Sequence, residues 1–96
     1  MNKKYESVIV FSPQLEEEAL ENAINRVQEV ITNGAGVVTK VDRWGKRRLA
    51  YEINNFTEGF YLLVEMEAPS SAAQELDRVL RISDDVLRHL IVRADT

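Results

Sequence analysis

The chain has 96 residues, 12 Lys+Arg against 16 Asp+Glu, a formal charge of −4 and no cysteine. That length fits one domain with one core over 1–96, and the missing cysteine excludes disulfides, Cys-zinc sites and thiol nucleophiles while fitting a reducing cytoplasm. No apolar run reaches the ~18 residues of a membrane span, Met1-Asn2-Lys3-Lys4 leads into no signal-peptide core, and the net negative charge, taken at face value, argues against nucleic acid.

Residues 4–11 end in Val8-Ile9-Val10-Phe11, a β-branched and aromatic run that predicts a strand. Ser12-Pro13 offers a hydroxyl cap and a proline suited to the start of a helix. Leu15, Ala19, Leu20, Ala23, Ile24, Val27, Val30 and Ile31 then form the stripe of an amphipathic helix over about 15–32. Glu16, Glu17 and Glu18 lie at its positive end, and Asn33-Gly34 stops it, with Gly34 expected in the left-handed conformation.

Val37–Ile53 reads as a long β-rich stretch with a bulge or bend at Gly45, and Asn54–Gly59 as a turn. Phe60–Ala68 is the next strand. Beyond Pro69, Ser71 and Gln74 suggest a capping box opening a helix to about Ile82, with Ala72, Ala73, Leu76, Val79 and Leu80 as its buried stripe. Val86–Arg93 is the last strand. The order β-α-β-β-α-β predicts an α+β, ferredoxin-like fold: a four-stranded antiparallel sheet with two helices on one face.

That arrangement leaves one sheet face open, and both parities of the first and third strands are apolar. If Ser7, Ile9, Phe11, Phe60, Leu62, Val64 and Met66 face the helices, then Val8, Val10, Tyr61 and Leu63 face outwards and offer a surface to a partner protein; the opposite frame exchanges the two sets.

Nothing in the residues points to catalysis. His89 lacks neighbours for a metal site or a Ser-His-Asp triad, the four glycines are scattered singly, and Glu16–Glu18 point around their helix rather than into a cleft. No catalytic residue, metal or cofactor is expected. The charge distribution says more: between Lys40 and Arg48 lie Lys40, Arg43, Lys46, Arg47 and Arg48 against Asp42 alone, a window of +4 in a chain whose remainder is −8. With Trp44 inside it, the window suits RNA phosphates and a stacking surface, and Lys3, Lys4, Arg88 and Arg93 are candidates to extend it. The alternative is a charged strand that resists edge-to-edge pairing. Glu58-Gly59-Phe60-Tyr61-Leu62-Leu63-Val64 echoes an RNP1 motif but has an acid where a base belongs and Leu62 where an aromatic belongs, which disfavours that mode of readout.

Gly45-Lys46-Arg47-Arg48-Leu49-Ala50-Tyr51-Glu52-Ile53-Asn54 resembles the signature of the bacterial small-ribosomal-subunit protein six family. The likeness extends to Tyr5-Glu6, Gly59-Phe60-Tyr61, Leu80-Arg81-Ile82 and Val86-Leu87-Arg88, in the same order and spacing across the chain. The resemblance implies a non-enzymatic, cytoplasmic ribosomal protein of ferredoxin-like fold, a structural constituent of the 30S subunit. It further implies binding to the central domain of 16S ribosomal RNA as a heterodimer with small-subunit protein eighteen, a short basic protein, and no membrane or small-molecule partner. On that reading Lys3, Lys4, Arg43, Lys46, Arg47, Arg48, Arg88 and Arg93 face RNA, and Val8, Val10, Tyr61 and Leu63 face the protein partner. The competing function is a ferredoxin-like ligand-sensing or acyl-phosphate-hydrolysing domain. Ser12-Pro13-Gln14 lacks the arginine that such a hydrolase needs after its first strand.

Overall fold

In the computed structural model, which describes residues 2–94, the elements are β1 (Lys3–Phe11), α1 (Glu17–Asn33), β2 (Val37–Ile53), β3 (Phe56–Ala68), α2 (Ser70–Ile82) and β4 (Val86–Arg93). The sheet runs β2-β3-β1-β4 with every neighbouring pair antiparallel, the ferredoxin-like order expected from β-α-β-β-α-β. Both helices lie on the same face, and the parity left open by the sequence resolves. Tyr5, Ser7, Ile9 and Phe11 of β1, with Leu62, Val64 and Met66 of β3, are buried. They pack against Ile24, Val27 and Ile31 of α1 and Ala72, Leu76 and Leu80 of α2. Val8, Tyr61 and Leu63 therefore point away from the helices.

Helix starts differ from the sequence reading. α1 opens at Glu17 with Glu16 in the cap position and no side-chain capping bond. Ser12 Oγ instead accepts from the Gln14 N–H at 3.2 Å, and the Ser12 N–H donates to the Asp85 carbonyl at 2.8 Å, so this hydroxyl shapes a loop rather than a cap. α2 opens at Ser70 behind Pro69, again with no side-chain cap, which places Ser71 inside the helix rather than in a capping box. The fixed φ of Pro69 (−66°) sets the direction of approach, and its carbonyl takes the Ala72 N–H at 3.0 Å.

The end of α1 is also reassigned. Gly34 has φ −89°, while Ala35 takes the left-handed conformation at φ 66°. The Gly36 N–H donates to the Ile31 carbonyl at 2.9 Å and the Ala35 N–H to Thr32 at 3.1 Å, the two bonds of a Schellman motif. Gly34 is small for a packing reason: a Cβ there would lie 2.7 Å from Ala72 Cβ, where α1 meets α2. Because a left-handed residue with a Cβ is strained, Ala35→Gly should raise unfolding free energy by about 1 kcal/mol, read as a shifted denaturant midpoint at constant slope.

The turn expected over Asn54–Gly59 contracts to two residues. Asn54 and Asn55 have φ 50° and 69°, the paired positive values of a type I′ hairpin turn, and β3 begins at once with Phe56. Gly45 (φ 81°) marks the anticipated bulge, where β2 gains one residue over β3 between the Arg43–Leu62 and Gly45–Tyr61 pairs. A larger departure follows between Arg48–Glu58 and Ile53–Phe56, so residues 49–52 leave the ladder.

Candidate functional site

The open sheet face has an apolar middle. Val8 lies opposite Leu63 on β3 and Leu90 on β4, and Val10 opposite Tyr61 and Arg88. Leu90 and Val92 are 54% and 42% exposed, whereas Val10 is only 4% exposed and presents little surface. Leu90 and Val92 were missed by the sequence reading. Their signal was the alternation along Arg88, Leu90 and Val92, which takes on meaning only once β4 is paired with β1.

At the end of this face near Phe11 lies a basic and aromatic cluster. The Gly45 bulge sets Trp44 over the face, its ring stacked on Tyr61 at 6.2 Å between centroids and 18° between planes. Trp44 Nε1 donates to Asp42 Oδ2 at 3.0 Å, which fixes the indole, and the Arg47 guanidinium sits 5.2 Å from the Trp44 ring. At the same end but on the helix side of the sheet, Lys46 Nζ is 5.3 Å from the Phe60 ring centroid, and Arg48 is exposed in register with Glu58. The segment that leaves the ladder carries Tyr51 to the far edge strand, where Arg88 Nη1 donates to the Tyr51 hydroxyl at 2.9 Å. Tyr51 thus links the hairpin to β4, a role no local pattern announces.

The other basic candidates stand apart. Arg43 grips Glu21 of α1 with both terminal nitrogens, Nη2 lying 2.9 Å from Oε1. The hydrogen bond from Arg43 holds the Glu21 carboxyl below the ordinary carboxylate value, and Glu21 raises the already high Arg43. Arg43 is therefore committed on the helix side of β2. Lys3 and Lys4 lie at the opposite end of the sheet, opposite Ala68 and Glu67, with Arg93 beside them in register with Tyr5. Val10 lies six residue steps along β1 from Lys4, about 20 Å at ~3.4 Å per residue. The eight cations thus fall into a group at the Trp44 end, a group at the Lys3 end, and Arg43 tied to α1.

His89, the lone histidine, joins β4 to α2: its Nε2 is 2.8 Å from Asp77 Oδ1, and Asp77 Oδ2 also receives Arg81 at 3.0 Å. Among the described residues no three His, Cys, Asp or Glu side chains are grouped to hold a metal ion, and no helix is long and apolar enough to cross a membrane.

Comparison with known proteins is consistent in fold and sequence. Residues 4–93 match the family described as Ribosomal protein S6. The small ribosomal subunit protein bS6 of Carboxydothermus hydrogenoformans is 48% identical over 95 residues, covering 99% of each chain. The bS6 of Heliobacterium modesticaldum is 47% identical over 93 residues, covering 97% of each. Among solved structures, 30S ribosomal protein S6 of Thermotoga maritima superposes with a TM-score of 0.90 at 33% identity, covering 97% of this chain and 88% of that one.

Proposed function

This chain belongs to the ribosomal protein S6 family, and we propose that, as a structural component of the small subunit, it binds the central domain of 16S ribosomal RNA beside a basic companion, small-subunit protein eighteen. Membership of that family makes it a non-enzymatic part of the cytoplasmic ribosome, which leaves no role for the acyl-phosphate hydrolase reading. The companion takes the apolar middle of the open sheet face, and RNA backbone runs along the Trp44 end.

The observation that carries this reading is the division of one sheet face into an exposed apolar strip and an adjoining pair of arginines, Arg47 and Arg88, beside the stacked Trp44 and Tyr61 rings, with Lys46 and Arg48 at the same end on the other side of the sheet. Arginine forks in that cluster suit phosphate oxygens. Phosphate contacts position a protein on RNA without specifying sequence. A chain at −4 lacks the overall charge to hold RNA by itself, so a basic companion on the neighbouring strip supplies the balance.

Arg47→Ala with Arg48→Ala tests the RNA half. Binding of the protein pair to a central-domain RNA fragment should weaken about tenfold, equivalent to ~1.4 kcal/mol, and the log–log salt slope should fall by about 2. Unchanged affinity and slope in filter binding would remove the Trp44 end from the RNA interface.

A further inference from the structure

We propose that Glu6 and Glu65, paired at the Lys3 end of the open face, seat a lysine or arginine side chain of the basic companion protein and so fix the direction in which it lies across the sheet. This rests on the reading that the companion takes this face. Glu6 and Glu65 are directly opposite one another on β1 and β3, and each is flanked by buried residues (Tyr5 and Ser7, Val64 and Met66), so both side chains emerge on the open face. Side chains so placed have Cβ atoms about 5 Å apart, and like charges in that position destabilise the strand pair. The only ion pair to either carboxylate among the described residues is the long contact from Lys40 Nζ to Glu65 Oε2, 3.7 Å. On the open face this end carries Glu6, Glu65 and Glu67 against Lys4 and Lys40, and among the described residues no ion pair reaches Glu6.

The pair abuts the apolar strip: the next open-face pair along the two strands is Val8–Leu63, and Glu6 lies beside Val92. Any protein covering Leu63, Leu90 and Val92 also draws water away from Glu6 and Glu65. Two carboxylates desolvated together are costly unless a cation accompanies the cover. A lysine or arginine between them turns repulsion into charge-assisted hydrogen bonds. At the opposite end, Arg88 and Arg47 repel the same cation. The face is thus polarised, acidic at its foot and basic at its head, and a basic segment gains most in one orientation.

The fold itself has no use for the acidic pair, which predicts opposite signs for stability and binding. In the free protein Glu6→Gln should raise Tm by about 2–5 °C. In calorimetric titrations with small-subunit protein eighteen, Glu6→Gln plus Glu65→Gln should weaken binding about tenfold and flatten its salt dependence, while Glu17→Gln on α1 leaves both unchanged. Wild-type affinity in the double variant, or an equal loss in Glu17→Gln, overturns the proposal. Leu63→Asp separates it from the reading beneath it. If Leu63→Asp abolishes binding and the glutamate variants are silent, only the acidic seat is wrong. If wild-type protein does not bind, or Leu63→Asp binds normally, the companion does not use this face and both fall. A stable dimer of the free chain in light scattering, dissolved by Glu6→Lys, would make the occupant a second copy and equally overturn the proposal.

Discussion

Leu62→Ala should destabilise the protein by about 3–4 kcal/mol, whereas Leu63→Ala, one residue along the same strand, should cost under ~1 kcal/mol and act on companion binding instead. Leu62 is 2% exposed and belongs to the cluster beneath α1 and α2; Leu63 is only partly buried, opposite Val8 on the open face. Removing three carbons from Leu62 loses their transfer free energy and leaves a cavity that packed helices fill only in part. Leu63 borders the open face, so its truncation leaves no enclosed cavity. For a chain of this size the first change should lower Tm by roughly 15 °C or more. The second should leave Tm within a few degrees and, with the companion on this face as proposed, weaken binding to small-subunit protein eighteen by about tenfold, the truncation cost of an apolar contact buried on binding. Equal losses of stability for the two variants would mean that the open face is itself part of the core.

This pair of leucines also marks where the sequence stops being informative. Periodicity located the strands, and the order of elements implied the sheet, but β1 and β3 are apolar on both parities, so alternation could not choose the inward set. The choice is made by contact with the helices, through residues such as Ile31 and Leu76. Caps were misread for a related reason. Ser12 and Ser71 have the right chemistry, but a capping hydroxyl must also stand at the right point of the chain path. Extended Glu16 and Pro69 occupy those points, while Ala35 rather than Gly34 completes the Schellman turn.

The candidate site divides in the same way. The cluster from Lys40 to Arg48 was visible as composition, and the bulge at Gly45 as a glycine inside a strand pattern. How the cluster is shared out was not visible, because Arg43 is claimed by Glu21, 22 residues away, and Arg88 by Tyr51, 37 residues away. These are tertiary pairings, and their two partners carry no local mark of each other. The net charge suffers the same limitation, since a value of −4 averages over a face with an acidic foot and a basic head.

Gly59→Ala should cost about 2 kcal/mol, with the loss concentrated in the β2–β3 hairpin. An added Cβ would lie 2.5 Å from Val10 Cγ1, 3.1 Å from the Phe11 carbonyl oxygen and 3.6 Å from Leu49 Cδ2. Val10 is β-branched and stiff about χ1, and it is buried, so its methyl cannot swing aside freely. The Phe11 carbonyl belongs to β1, and Phe11 itself is buried in the core. The remaining route of relief is to lift the hairpin, which moves Leu49 and strains the Tyr51–Arg88 link. Amide exchange should therefore accelerate along residues 46–59 while α1 and α2 keep their protection. Since the shortest contact is with Val10, the two sites must couple. Gly59→Ala should cost far less in a Val10→Ala background than in the wild type, giving an interaction energy of about 1 kcal/mol or more. Strict additivity in that cycle would place the strain on the Phe11 carbonyl, and a cost of Gly59→Ala within ~0.5 kcal/mol of zero would show that the hairpin yields without resistance.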